Sequence, residues 1–273
     1  SGGIGASLSK LLTKKNIFPI IGYNSNSKKA FALAKELKTF AVKVDLCSKN
    51  SIDNSIKFID KQIKNNDKLI GAVFCASPSP DIFPFLQTQP EHLSKQFQVN
   101  VIGHQILLKA LIKKFFLKEK MGTIIGVLSK AIGSEQEQVA TGMSSYIIAK
   151  SALKSMLSIC SAEFNWLKVR TVIPSFTKTK MLDVFDERYL EMLDGQKKIS
   201  TPENVAKLIF KEIKMNYELV EIAGKQFPLF FGFNGLRKYC AMTGTSLNKL
   251  MNLGQDMTLD QALKLVLVGI EEG

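Results

Sequence analysis

Over its first two hundred residues this chain alternates short apolar runs with longer stretches whose apolar residues recur at helical spacing. No other feature limits the fold as much, because few layer arrangements bury such an alternation. The short runs are "NIFPIIGY" (16–23), "FAVKVDL" (40–46), "KLIGAVFCAS" (68–77), "GTIIGVLS" (122–129) and "VRTVIP" (169–174). Between them lie "SKKAFALAKELK" (27–38), "SIDNSIKFIDKQIKN" (51–65) and "MSSYIIAKSALKSMLSICSAEF" (143–164), with "PEHLSKQFQVNVIGHQILLKALIKKFF" (90–116) as one long helix or two stacked ones. In the helix at 51–65, Ile52, Ile56, Ile59 and Ile63 form one stripe and Ser51 reads as its N-cap. "TPENVAKLIFKEIK" (201–214) opens on a helix-start signal, Thr201 followed by Pro202 and Glu203. Apolar strands joined by helices predict an α/β fold with a doubly wound parallel sheet covered on both faces. Its ligand belongs at the carboxyl ends of the strands.

Charge and cysteine usage narrow the function classes. The net charge of +13 invites a nucleic-acid reading. The charge is nearly all lysine, however. Arg170, Arg188 and Arg237 are the only arginines, and the lysines are spread along helix faces, as in "KQIKNNDK" and "LIKKFFLKEK". Base edges and phosphates are best held by arginine forks, so a solvated lysine-rich surface is the better reading. The four cysteines, Cys47, Cys75, Cys160 and Cys240, are scattered without paired spacing. That argues against a metal site or disulfide framework and for free thiols in a reducing cytoplasm. No apolar run reaches the ~18–20 residues of a membrane span, and no basic-then-apolar leader is visible.

Candidate chemistry centres on "YIIAK". Tyr146 and Lys150 lie four apart on a strong helix and so share one face. A lysine ammonium there would favour the tyrosinate and lower the phenol pKa, making Tyr146 a general acid or base. The same pair is also ordinary on an exposed helix. Ser129 ends the apolar run 122–129, where a hydroxyl would face the ligand crevice or simply start a turn. Asn100 sits inside the long helix, where asparagine is a poor choice unless its amide is used. "GGIG" (2–5) would present backbone N–H groups at a helix start, a place that suits a pyrophosphate. His92 and His104 have no acid or nucleophile near them in sequence and read as surface or satisfied helix residues.

In this order, these residues resemble the short-chain dehydrogenase/reductase family. "SGGIG" is similar to the later part of that family's glycine motif, with Gly3 and Gly5 as its second and third glycines, Ile4 between them and the first glycine absent. "VDL" resembles the strand end that contacts adenine, here Asp45 and Leu46. Cys75, Ala76 and Ser77 stand where the family has Asn-Ala-Gly, a departure. Asn100, Ser129, Tyr146 and Lys150 match its catalytic tetrad. "IPSFTKTKM" resembles the segment at the nicotinamide, with Pro174 and Thr179 in place and Ser175 for glycine. Ser129 and Tyr146 are 17 residues apart, a few more than the family usually has.

The resemblance covers about residues 1–214 and implies an NAD(P)-dependent oxidoreductase that reduces a carbonyl or oxidises an alcohol. Tyr146 would exchange the proton, Lys150 would tune it and hold the nicotinamide ribose, Ser129 would fix the carbonyl, and Asn100 would organise a water. A homo-oligomeric, cytoplasmic enzyme is implied as well. After the second expected strand, "GYNSNSKK" supplies Asn24, Ser25, Lys28 and Lys29 and no acid, which favours NADP and leaves NAD possible. The segment 176–198 stands where the family has a substrate lid, and Leu182, Phe185 and Met192 would face either a substrate or the core.

The chain opens inside the glycine motif, so the expected sheet lacks its first strand. That feature keeps a second reading open: a non-catalytic binding or assembly protein with an incomplete cofactor site. Residues 215–273 carry a net charge of −1 against +14 for residues 1–214. "MNYELVEIAGKQFPLFFGF" could form a hairpin, or "ELVEIAGKQF" (218–227) could be the family's last strand. Three amphipathic pieces follow, and the tail is faintly similar to small helical phage tail-assembly chaperones. A small helical C-terminal segment, conceivably a separate unit beginning at Met215, is expected there.

Overall fold

A computed structural model describes residues 1–63, 67–196, 198–214, 218–222, 225–229 and 239–244, together with 261, 264, 265, 267 and 268. The alternation seen in the sequence becomes α1 (Gly3–Lys14), β1 (Ile21–Tyr23), α2 (Ser27–Glu36), β2 (Ala41–Lys43), α3 (Lys49–Gln62) and β3 (Gly71–Phe74). A long helix follows, made of α4 (Pro90–Phe97) and α5 (His104–Leu111) with π-helical turns at Gln98–Gly103 and Ile112–Phe116. Then come β4 (Thr123–Val127), α6 (Ser144–Glu163), β5 (Lys168–Val172), β6 (Phe176–Thr177), α7 (Glu187–Gly195), β7 (Ile199–Ser200) and α8 (Pro202–Lys214).

The strands are shorter than the apolar runs, because the ends of those runs lead into the loops at the crevice. Local signals set most helix starts. Asn26 caps α2 by accepting from the Lys29 N–H, and the Thr201 hydroxyl accepts from the Asn204 N–H at the start of α8. The cap of α3 is Ser48, whose Oγ accepts from the Ser51 N–H, and not Ser51 as the sequence suggested. The Ser51 hydroxyl instead accepts from the Asp45 N–H, which ties the helix to the end of the preceding strand.

The doubly wound parallel sheet is present as two blocks. β1 and β2 pair in parallel with Ile21 opposite Ala41. β4 lies between β3 and β5, both parallel to it, with Thr123 opposite Gly71 on one side and Lys168 on the other. Among the described residues, no strand pairs with the remaining edge of β1 or of β3. The Ser1 amino group donates to the Gly22 carbonyl of β1 at 2.9 Å and interacts electrostatically with Cys75, just past β3. Ser1 therefore stands between the two blocks. A short parallel pair, β6–β7, holds Phe176 opposite Ile199.

The main core lies where the long helix, α3 and α6 cover β3–β4–β5. It contains Ile56, Phe74, Leu108, Leu111, Phe116, Ile124, Leu153, Leu157 and Val169. A smaller cluster under β1 and β2 joins Ile21, Ala30, Leu33, Ala34 and Ala41. No helix of the described residues is long and apolar enough to cross a membrane.

The chain divides into two compact units, Ser1–Phe210 and Lys211–Gly273. In the second, β8 (Glu218–Ile222) and β9 (Lys225–Leu229) form an antiparallel pair with Glu218 opposite Leu229. The stretch 218–227 is thus not one strand: it holds β8 and the first residues of its antiparallel partner β9. Helical backbone occurs at 239–243 and at 261, 264, 265, 267 and 268, and Tyr239 and Val268 are fully buried. The remainder of the three amphipathic pieces lies outside the described residues.

Leu157 is 1% exposed and packs in the main core. Leu157→Ala should lower unfolding free energy by about 2–5 kcal/mol with an unchanged denaturant slope, read from urea melts of the purified chain.

Candidate active site

Within each parallel block the strands run the same way, so the residues that follow them collect at one end of that block. Tyr146 and Lys150 reach that end of the β3–β4–β5 block from the first two turns of α6. Lys150 is 2% exposed, and its Nζ donates to the carbonyl of Val127, the last residue of β4, at 3.0 Å. The same Nζ lies 5.7 Å from the centroid of the Tyr146 ring. Burial pushes the Lys150 ammonium from an ordinary 10.5 to about 8, against an opposing pull from Cys75. Burial also raises the Tyr146 phenol, which is 6% exposed, while a side-chain contact with Ser129 pulls it the other way. The sequence had suggested a lowered phenol pKa. In the structure desolvation of the buried phenol wins, and Tyr146 is held as a neutral acid.

Ser129 is the second residue after β4, and its Oγ accepts from the Ala131 N–H at 3.2 Å. Strand and helix thus place the Ser129 and Tyr146 hydroxyls together. Around them Met143 and Ile147 are buried, with Ala131, Ile132, Ala140, Phe176, Met181 and Phe185 packed against the cluster. In the expected lid, Phe185 belongs to this cluster and contacts the rings of Phe176 and Tyr189 at 5.4 and 5.9 Å. Leu182 is buried, whereas Met192 is exposed.

Asn100 lies in the first π-helical turn and is fully buried. Its Nδ2 donates to Gln96 Oε1 at 2.9 Å, and Gln96 Nε2 donates to the Ser79 carbonyl at 2.8 Å. Gln96 escaped the sequence reading, although its spacing of four from Asn100 was visible. His104, read from sequence as an ordinary helix residue, is 1% exposed, and its ring packs 4.8 Å from that of Phe74. Burial and the nearby Lys150 charge hold it at about 4, so the imidazole is neutral. His92 does have a simple structural role: its Nδ1 accepts from the Gln89 N–H and its ring stacks on Phe83. Gly103 lets this helix pass the end of β2, since a Cβ there would sit 2.3 Å from the Leu46 carbonyl oxygen.

The expected cofactor-binding residues fall into two groups. One surrounds the glycine turn. Gly2 precedes α1 with no side-chain cap and no acid in the first turn, so the N–H groups at Gly3, Ile4 and Gly5 meet no neutralising side chain. A Cβ on Gly3 would sit 2.7 Å from Thr179 Cγ2, which brings the glycine turn and the lid segment into contact. Thr179 Oγ1 accepts from the Met181 N–H. Pro174 is buried and its carbonyl accepts from the Lys130 N–H, while the Ser175 carbonyl accepts from the Thr177 hydroxyl. Cys75 lies at this junction, its thiol pushed by burial up to about 11. Ala76 is exposed, and the Ser77 hydroxyl donates to the Pro78 carbonyl.

The second group lies around the ends of β1 and β2. Asn24, Ser25, Lys28 and Lys29 are exposed there, and Lys29 acts electrostatically on the Ser1 amino group. Asp45 Oδ1 accepts from the Cys47 N–H, and Leu46 is buried against the long helix. A helix start with no acid in its own first turn and exposed lysines nearby fits a dinucleotide phosphate, with Glu203 one turn along accepting from the Ser7 hydroxyl.

Lys150 gives the site a pH signature. Between about 8 and 10.5 the unfolded chain holds a proton that the buried group has lost. Stability from this group therefore rises with pH across that window. Lys150→Met should flatten the rise, measured as urea midpoints at pH 8 and 9.5.

The family model described as short chain dehydrogenase matches residues 1–189. A diacetyl reductase ((S)-acetoin forming) of Staphylococcus epidermidis is 24% identical over 202 residues, covering 71% of this chain and 75% of that protein. Carbonyl reductase family member 4 of Xenopus laevis is 24% identical over 220 residues, covering 80% of this chain and 89% of that one. The solved structure of a short chain dehydrogenase from Burkholderia cenocepacia in complex with NADP superposes with a TM-score of 0.65 at 19% identity, over 76% of this chain and 84% of that chain. At that identity the likeness is one of fold. The family model stops short of residues 215–273 and gives their resemblance to tail-assembly chaperones no support. With more than half of its length matched, and with landmarks in order from Gly3 to Thr179, the chain belongs to the short chain dehydrogenase family.

Proposed function

We propose that residues 1–214 form an NADP-dependent carbonyl reductase centre, able to run in reverse as an alcohol dehydrogenase. The observation that carries this reading is the meeting of the Ser129 and Tyr146 hydroxyls beside Lys150, at the end of β4. The bound nicotinamide would supply the hydride. A substrate carbonyl oxygen accepts from the Ser129 hydroxyl, which orients it, and takes its proton from the neutral Tyr146 phenol. The Lys150 ammonium stabilises the tyrosinate left behind. Asn100, held by Gln96, keeps the back of the site polar.

The phosphates belong on the N–H groups of Gly3, Ile4 and Gly5, with Thr179 beside them. Asp45, Leu46, Cys75, Ala76 and Ser77 border the adenine side, and Pro174 and Ser175 the nicotinamide side. Asn24, Ser25, Lys28 and Lys29 favour a 2′-phosphate, and so NADP over NAD, because the turn after β1 carries no carboxylate of its own to repel it. The apolar cluster of Met143, Phe176, Met181 and Phe185 suits a small, uncharged carbonyl compound. The names of the reductase relatives agree with that substrate class.

Exposed Ile102, Ile148 and Ile159, on the long helix and α6, suit a homo-oligomer contact. The unpaired cysteines suit a reducing, cytoplasmic setting. Residues 215–273 form an added unit outside the catalytic role. Among the described residues no strand pairs with the outer edges of β1 and β3, which favours one rival, a non-catalytic binding or assembly protein with an incomplete cofactor site.

Titrating NADPH while following its fluorescence, then supplying small diketones and ketones, separates these readings. Binding in the micromolar range with turnover is expected, weakened for NADH. Tyr146→Phe should lower kcat by about 10²–10⁴-fold and leave the NADPH Kd within about threefold. Failure of the wild-type chain to bind either nucleotide would sink the reductase reading.

A further inference from the structure

The loop between β3 and α4 exposes apolar side chains that the core does not use. Phe85 is 73% exposed and Leu86 93%, with Ile82 and Phe83 exposed beside them. A single exposed apolar residue is ordinary, but four within one short loop form a patch. The loop is also stiff. It holds four of the chain's eight prolines, Pro78, Pro80, Pro84 and Pro90. Three ties fasten it to α4. The Ser79 carbonyl accepts from Gln96 Nε2 at 2.8 Å, Asp81 pairs with Lys95 at 2.9 Å, and the Phe83 ring stacks on His92. Phe85 and Leu86 open a short 3-10 turn, Phe85–Gln87. Their exposure is thus built into a fastened backbone.

The patch is continuous with the candidate site. The Phe83 N–H donates to the Gly142 carbonyl at 2.8 Å, and Phe83 lies opposite Met143 in a parallel bridge. Met143 is buried in one cluster with Tyr146 and Ile147. Leu86 comes three residues after Phe83, so at most about 11 Å of chain separates it from the bridge. On the opposite strand of the bridge, Val139 is exposed as well. Charge then selects the occupant. From Ile82 to Pro90 and from Gln138 to Ala149 the sequence carries no charged residue, in a chain of which 22% is charged. An anionic headgroup, a nucleic acid or an acidic protein would find no counter-charge on these two stretches, whereas an uncharged hydrocarbon chain finds the apolar surface it needs.

We propose that Phe85 and Leu86 are specificity-determining residues, which hold the hydrocarbon tail of a ketone whose carbonyl lies at Ser129 and Tyr146. The cluster of Met143, Phe176, Met181 and Phe185 takes the small reacting end. The tail leaves past Met143, crosses the bridge and lies on the two exposed side chains. The substrate class is an alkyl ketone or, in reverse, the matching secondary alcohol, with an extended unbranched chain. Hydride and proton transfer are unchanged, and the tail adds binding alone. The proposal rests on the reductase reading.

The test is a series of methyl ketones, from 2-butanone to 2-nonanone, offered to the full chain with NADPH. From 2-pentanone onward kcat/KM should rise about twofold with each added CH2, which is what half-burial of a methylene supplies. In Phe85→Ser and in Leu86→Ser, the ratio of kcat/KM for 2-nonanone to that for 2-butanone should fall about fivefold, mostly through KM. Both side chains lie on the surface, so these variants should fold. Leu117→Ser, which removes an exposed leucine just past the long helix, should leave the ratio unchanged. A flat series, or an unaltered ratio in the Phe85 and Leu86 variants, would overturn the proposal. An unaltered ratio joined to a loss of self-association in sedimentation would overturn it too, and would mark the patch as a contact between copies. If the wild type reduces none of the ketones, the reductase reading fails, and the 13C-methyl shift of Leu86 decides the tail site by itself. 2-Nonanone should move that signal and 2-butanone should not; a signal that neither moves would overturn the tail site.

Discussion

A buried ammonium must find an oxygen, and Lys150 finds the carbonyl of Val127. Much of the site depends on that one bond. It pins the second turn of α6 to the last residue of β4, so the residue one turn earlier, Tyr146, meets the residue just past the strand, Ser129. The phenol beside it keeps its proton because it is buried. Geometry thus comes from the pairing of one side chain with one strand end, and protonation state from burial.

The sheet supplies the second constraint. Parallel strands deliver their carboxyl ends to one side of their sheet, and β1 to β5 divide into a pair, β1–β2, and a trio, β3–β4–β5. The catalytic candidates depend on the trio, whose helices share a large apolar core. The nucleotide candidates draw on both blocks: Asn24, Ser25 and Asp45 come from the pair, Cys75 to Ser77 from the trio. The Ser1 amino group meets both blocks, so the nucleotide candidates come from both sides of a junction and the catalytic candidates from a single packed layer.

Much of this was legible in the residues. Helix period and apolar runs marked every element of the parallel layers, and the four-residue spacing of Tyr146 and Lys150 placed them on one face. Strand ends were overestimated because apolar character continues into loops that pack at the crevice, as Leu128 does after β4. The α3 cap moved from Ser51 to Ser48 because two serines competed and the second was taken by the Asp45 N–H. Protonation states were not legible. A one-dimensional spacing shows that a lysine is near a tyrosine; it does not show that both are desolvated or where the ammonium points. His104 was missed for the same reason, since only tertiary packing against Phe74 shows it to be buried.

The contact between Gly3 and Thr179 has a consequence for how such a chain can vary. With only 2.7 Å between a would-be Cβ at position 3 and the Thr179 methyl, neither residue can grow unless the other shrinks. The two positions are 176 apart in sequence, yet sterically they behave as a single site. Thr179 is also fixed by its capping bond to Met181, so its side chain has little freedom to give way. Drift at one of these positions must therefore be answered at the other, and in a set of related chains the pair should change together or not at all.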